Sequence, residues 1–102
     1  MGGYIINHYN ILDRRRINEL GPLYTALLEK YNGEVVAGDY VIPLEGAPYS
    51  HLVVYRFPSQ AQALDFYNSA EHQEVSKLRK EITDGVVLMV PEYGSKHEFG
   101  GT

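Results

Sequence analysis

The stretch from His51 to Arg79 reads HLVVYRFPSQAQALDFYNSAEHQEVSKLR. Its first seven residues are β-branched, aromatic or apolar apart from His51 and Arg56, which predicts a strand over 51–57, buried enough to be central. Pro58-Ser59 ends it. Ser59 and Gln62 stand in the S-x-x-Q spacing of a capping box, so the serine that closes the strand opens a helix whose apolar side is Ala63, Phe66 and Tyr67. Ser69 is placed to cap a second helical segment, in which Val75, Leu78 and Ile82 form the expected stripe and Glu74 pairs with Lys77.

On the N-terminal side, YIINHYNI (residues 4–11) alternates, with Ile5, Asn7, Tyr9 and Ile11 on one face and Tyr4, Ile6, His8 and Asn10 on the other. Both faces are mixed, as in a central strand. Asp13 stands where an N-cap is expected. Ile17, Leu20, Tyr24, Leu27, Leu28 and Tyr31 recur at helical spacing, which predicts a helix over 14–31, kinked or divided into two short pieces at Gly21-Pro22 and closed by Asn32-Gly33. A strand is expected over 34–37, a turn or bulge at Gly38-Asp39, and an irregular edge over 40–44. Glu45 opens a loop. On the C-terminal side, Asp84-Gly85 reads as a turn and Val86–Val90 as the last strand.

The order strand, helix, strand, strand, helix, strand defines an α+β class. It predicts a ferredoxin-like β-α-β-β-α-β domain over residues 1–90, in which two helices cover one face of a four-stranded antiparallel sheet. The other face is left open although its strands are apolar there too, so a homodimer is expected to bury it. Residues 91–102 carry no periodicity and are expected to be a tail ordered by the dimer partner.

Composition narrows the function classes. A net charge of −4 over 102 residues argues against a nucleic-acid partner, and Arg14, Arg15 and Arg16 form the one basic cluster. The absence of cysteine excludes thiolate chemistry and disulfides. No apolar run approaches the length of a membrane span and the first residues do not read as a secretion signal, so no membrane partner and a cytoplasmic location are expected. The nine tyrosines fit an interface or a polar-tipped pocket. No histidine pair has metal-ligand spacing, no glycine-rich loop opens a helix and no G-x-S-x-G is present; neither a metal nor a cofactor is expected.

Several of these positions together resemble one family. They are Tyr4 leading the first strand, Asp13, Gly33, Leu44-Glu45-Gly46, Phe57-Pro58-Ser59, Ala63, Phe66-Tyr67, Ser69-x-Glu71-x-Gln73 and Arg79. Their order and spacing over about residues 4–90 are similar to domain-of-unknown-function family 1330, and the resemblance implies a dimeric α+β barrel in which two ferredoxin-like subunits pack sheet to sheet. This chain departs from the family pattern at Asn32-Gly33, where members carry Gly-Gly, at Asp39-Tyr40, where a glycine pair is usual, and at His72, where tyrosine is usual. The family carries no assigned reaction.

Arg79 is the first candidate for function, because a permanently charged planar fork on a helix can clamp a carboxylate, from Glu45, Glu71 or a ligand. His72, Ser69 and Asp13 join it as ligand-binding candidates, the last two with helix capping as the competing role. His8, Glu45 and Tyr55 are the catalytic candidates: similar dimeric barrels include monooxygenases and isomerases that act on small cyclic substrates without a cofactor, and these residues would serve there as base, acid and donor. The favoured reading is a dimer that binds a small acidic or aromatic metabolite in a cleft between sheet and helices. A cofactor-free enzyme and a non-catalytic assembly module are the alternatives.

Overall fold

A computed structural model describes residues 2–98. Four strands, β1 (Gly3–Ile11), β2 (Glu34–Tyr40), β3 (His51–Phe57) and β4 (Thr83–Pro91), form one sheet in the order β2-β3-β1-β4, with every neighbouring pair antiparallel. Both strands expected to be central, β1 and β3, are central. Helices α1 (Leu20–Lys30), α2 (Gln60–Asn68) and α3 (Ala70–Ile82) connect the strands in the expected split β-α-β order.

Local chemistry sets the helix ends. The Ser59 hydroxyl accepts from the Gln62 amide at 3.1 Å and the Ser69 hydroxyl from the His72 amide at 3.1 Å, so each serine answers an amide that its helix leaves free. Ser69, with extended backbone between α2 and α3, breaks one helical stretch into two. Helix α1 is closed just beyond its last turn by Asn32, whose φ of 61° is left-handed. The Gly33 amide reaches back to the Leu28 carbonyl at 2.8 Å and the Asn32 amide to that of Glu29 at 3.3 Å, the paired bonds of a Schellman motif.

Three expectations are corrected. The helix over 14–31 begins instead at Leu20, after a single 3-10 turn at Ile17–Glu19, so Gly21-Pro22 sits in its first turn, where a missing amide proton breaks no bond and forces no kink. Strand β2 runs through Gly38-Asp39 to Tyr40, and its irregularity lies between Val35 and Ala37. Asp84-Gly85 is strand rather than turn: Gly85 pairs with Tyr9, and a Cβ there would strike the His8 carbonyl oxygen and the Tyr9 Cα. That glycine answers a close backbone approach instead of a reversal of direction.

Ile5, Leu20, Leu27, Leu28, Phe57, Phe66 and Ile82 fill the space between sheet and helices, with the Phe57 and Phe66 rings 5.0 Å apart. The helix-free face keeps Val86, Leu88 and Val90 at 40%, 53% and 41% exposure. Residues after Pro91 are tied to their own chain: the fully buried Gln60 donates to the Lys96 carbonyl at 2.9 Å and accepts from the Glu98 amide at 3.1 Å. Residues 99–102 of the expected tail lie outside the described part. No helix among the described residues is long and apolar enough to cross a membrane.

Because the backbone of β1 cannot yield to an added methyl, Gly85→Ala is expected to cost about 1–3 kcal/mol in urea unfolding, the range of an overpacked core. A loss below about 0.5 kcal/mol would show that β1 and β4 separate easily there.

Candidate functional site

Helix α3 carries the unexpected feature of the fold. Its spacing predicts an inward stripe of Val75, Leu78 and Ile82, yet the buried residues are His72, Ser76, Arg79 and Ile82. Val75 and Leu78 are only partly buried, at the edge of the core. An amphipathic helix normally turns its apolar side inward, so a histidine, a serine and an arginine facing the sheet call for a local reason.

The reason is a pocket of about 630 Å³ between α1, α3 and the helix-bearing face of the sheet. Leu20, Leu28, Val53 and Val87 give it apolar walls, Asn7, Tyr9, Tyr24, Tyr55, Tyr67 and Arg79 give it polar groups, and Lys80 and Asp84 contribute from exposed positions. Its size suits a small metabolite. Strand register builds the sheet side: Ile5, Asn7 and Tyr9 alternate onto the helix face of β1, with Asn7 opposite Val53 of β3 and Val87 of β4.

Arg79 is the charged group inside. It is 7% exposed, and among the described residues no carboxylate lies within 4.0 Å of it. Its Nη1 makes one long contact, 3.5 Å, to the Tyr24 hydroxyl. Both internal partners proposed for it are elsewhere. Glu71 is held by Lys30 at 2.8 Å, and Glu45 sits on the exposed 41–50 loop, outside the pocket lining.

Around the guanidinium stand neutral groups. Burial pushes the Tyr24 phenol above its ordinary pKa, while the nearby Arg79 charge and the Asn7 side-chain amide pull in the opposite direction. Burial also raises Tyr55 strongly, and the Tyr24 and Tyr55 rings stack at 5.7 Å. Both phenols are therefore protonated donors at neutral pH. Asn7 is 6% exposed and its Oδ1 has no hydrogen-bond partner.

Of the seven sequence candidates, the pocket brings together Tyr55 and Arg79. His72 lies one ring behind it, packed on Phe66 at 4.8 Å, Tyr67 at 4.9 Å and Tyr24 at 5.9 Å, with Ser76 Oγ 3.3 Å from its Nδ1. Burial, then the Arg79 charge, lower its pKa to about 4, so the ring is neutral where the guanidinium needs no second cation. Ser69 is engaged at the helix junction, accepting from His72 and donating to the Phe66 carbonyl at 2.9 Å. Asp13 accepts from the Arg15 amide at 3.0 Å in a local turn and caps no α-helix. His8 points to the other side of the sheet from Asn7; its Nδ1 is 2.8 Å from the His51 carbonyl and its Nε2 accepts from the Tyr49 amide at 3.3 Å, which pins the 41–50 loop to β1. Asn7 and Tyr24 are the residues that sequence reasoning missed. Asn7 was visible as the one amide on the helix-facing side of β1, and Tyr24 was absorbed into the apolar stripe of α1. Among the described residues, no three His, Asp or Glu side chains gather to hold a metal.

The structure is thus an α+β domain of ferredoxin-like topology with a metabolite-sized pocket between its two layers. The chain belongs to the DUF1330 family, described as a domain of unknown function, whose model matches residues 2–93. Solved structures of the same fold include a protein of unknown function from Rhodopseudomonas palustris, with 15% identity over 92% of this chain and 84% of that one and a TM-score of 0.70. The hydroxynitrile lyase from Passiflora edulis is 20% identical over 94% and 96% of the two chains, with a TM-score of 0.62. SnoaB, a cofactor-independent oxygenase from Streptomyces nogalater, is 4% identical over 92% and 95%, with a TM-score of 0.60. No protein of curated function matches the sequence.

The environment of His72 makes a pH prediction. Its folded pKa lies below the ordinary 6.5, so the unfolded chain binds the extra proton between pH 6.5 and 4. Stability is full above that window and falls as pH drops through it, by up to about 3 kcal/mol. Urea unfolding at pH 7 and pH 4.5 should show the loss, and His72→Phe should flatten it; a ring that titrates near 6.5 by NMR would contradict the burial argument.

Proposed function

We propose that this protein binds a small organic acid with an apolar or aromatic body, its carboxylate held by Arg79 inside the pocket. One observation carries the reading: an arginine 93% buried at a pocket of metabolite size, without an acidic partner among the described residues. A buried charge left without a counter-charge costs several kcal/mol, and a ligand anion removes that penalty while gaining two charge-assisted hydrogen bonds. Tyr24 and Tyr55 supply further neutral donors. The apolar walls accept a hydrocarbon or ring. Of the catalytic candidates only Tyr55 is retained, as a donor beside Arg79; His8 and Glu45 stand outside the pocket. The hydroxynitrile lyase and the oxygenase, which share the fold, are both named for chemistry on small molecules, which agrees with a ligand of that size.

The reading includes a homodimer. Val86, Leu88 and Val90 expose apolar surface on the helix-free face, and Ile6 and Val54, paired across β1 and β3 with Leu88 next to Ile6, extend the patch. A second copy laid sheet to sheet would remove it from water.

Two measurements test these statements. Millimolar phenylacetate should raise the Tm of the wild-type protein, and Arg79→Met should abolish the rise while melting no lower than wild type without ligand, since it removes an unanswered buried charge. A variant that melts well below wild type would mean that Arg79 has an internal counter-charge. In light scattering at micromolar concentration the protein should show about twice its 11.5 kDa chain mass, and Leu88→Asp should halve it; a wild-type monomer would contradict the dimer.

A further inference from the structure

On the other side of the sheet, the 41–50 loop is tied down through very few groups. The Val41 amide donates to the Ser50 carbonyl at 2.9 Å, and the Ser50 amide donates to Asn10 Oδ1 at 2.9 Å. The outermost tie is Tyr49, whose amide donates to His8 Nε2 at 3.3 Å while its ring meets the imidazole edge-on at 5.0 Å. Among the described residues, 42–48 make no hydrogen bond. What hangs from this tie is apolar: Ile42 and Leu44 are 85% and 91% exposed.

The other ring nitrogen fixes the chemistry. A carbonyl can only accept, so His8 Nδ1, 2.8 Å from the His51 carbonyl, carries the proton of the neutral ring, and Nε2 keeps the lone pair that Tyr49 uses. A second proton can enter only at Nε2. It sets two N–H groups against each other, and the Tyr49 amide must turn to water.

We propose that His8 is a proton-operated latch, which holds the 41–50 loop on the helix-free face of β1 when neutral and releases it when charged. The surroundings permit both states. His8 is partly exposed, and beside it on that face lie Leu52 of β3 and Val86 of β4. The next charged groups there are Asp39 of β2, opposite Leu52, and Asp84 of β4, opposite Asn10. Both are exposed carboxylates, which attract an imidazolium, and neither occupies a ring nitrogen. The loop adds the Tyr49 phenol and the exposed Glu45, while the His51 ring is turned to the opposite face, stacked on Tyr9 at 5.6 Å. Because closure uses the neutral ring, the loop is held at higher pH and freed as pH falls through the His8 titration.

The test is NMR of the full chain between about pH 8 and pH 5, the range in which histidine changes charge. At the upper end the ¹⁵N shifts should show His8 protonated at Nδ1 alone, with the Tyr49 amide protected from exchange. As the ring charges, Tyr49 protection should fall about tenfold, the loss of one hydrogen bond, while the Gly33 amide, bonded to the Leu28 carbonyl, keeps its protection. His8→Phe retains a ring without the lone pair and should leave Tyr49 equally unprotected at both ends of the range. The latch is overturned by a neutral ring protonated at Nε2, by a ring that stays neutral at the lower end, or by Tyr49 protection that survives either the charge or His8→Phe.

Discussion

A guanidinium cannot be buried without consequence. Its charge must be answered by a carboxylate, by dipoles or by solvent, and in this domain the buried Arg79 has one long contact to a phenol and an opening into a pocket. Much of the surrounding structure follows from holding that charge in place. Both tyrosines beside it are neutral, and His72 behind it is kept neutral by burial and by the arginine itself. Ser76, rather than an apolar residue, faces His72 on the next turn. The polar inner face of α3 is therefore a property of the site, for which the domain gives up the ordinary packing of a helix on a sheet.

The arrangement depends on where α3 begins. Ser69 interrupts the helical stretch and caps the new segment through the His72 amide, which sets the rotation that turns His72, Ser76 and Arg79 toward the sheet. Lys30 at the end of α1 takes Glu71 on the first turn of α3, a contact between the two helices that engages one of the carboxylates proposed as a partner for Arg79. The ion pair is exposed and adds little stability by itself. Its effect on the site is that Glu71 is engaged by Lys30 and not by Arg79.

The parts of this account that depend on neighbours in the chain were legible in the sequence. Ser59 with Gln62, Ser69, and Asn32-Gly33 marked helix ends through backbone amides and carbonyls a few residues away, and those ends stand where their chemistry puts them. The parts that depend on distant residues were not. Gly85 looks like a turn because glycine after aspartate usually is one; only the approach of β1, more than seventy residues earlier, makes it a strand position. Val75, Leu78 and Ile82 have the right spacing for a core stripe, and nothing local reveals that a pocket turns the helix to its polar side. Arg79 was chosen for its chemistry, but whether Glu45 or Glu71 would neutralise it was a question of tertiary structure. Asn7 and Tyr24 became part of the site only once α1 lay across β1.

Most of the domain would fold equally well around an apolar residue at position 79, so the central claim is that the charge there awaits an anion. Arginine-selective ¹⁵N NMR of the side chains reads this directly. The account predicts that the Arg79 Nε–H signal shifts on saturation with phenylacetate and that its guanidinium rotation slows as two oxygens engage it, while the signals of Arg14 and Arg15 stay in place. An Arg79 signal already slow and shifted in the free protein, and unmoved by the acid, would contradict it.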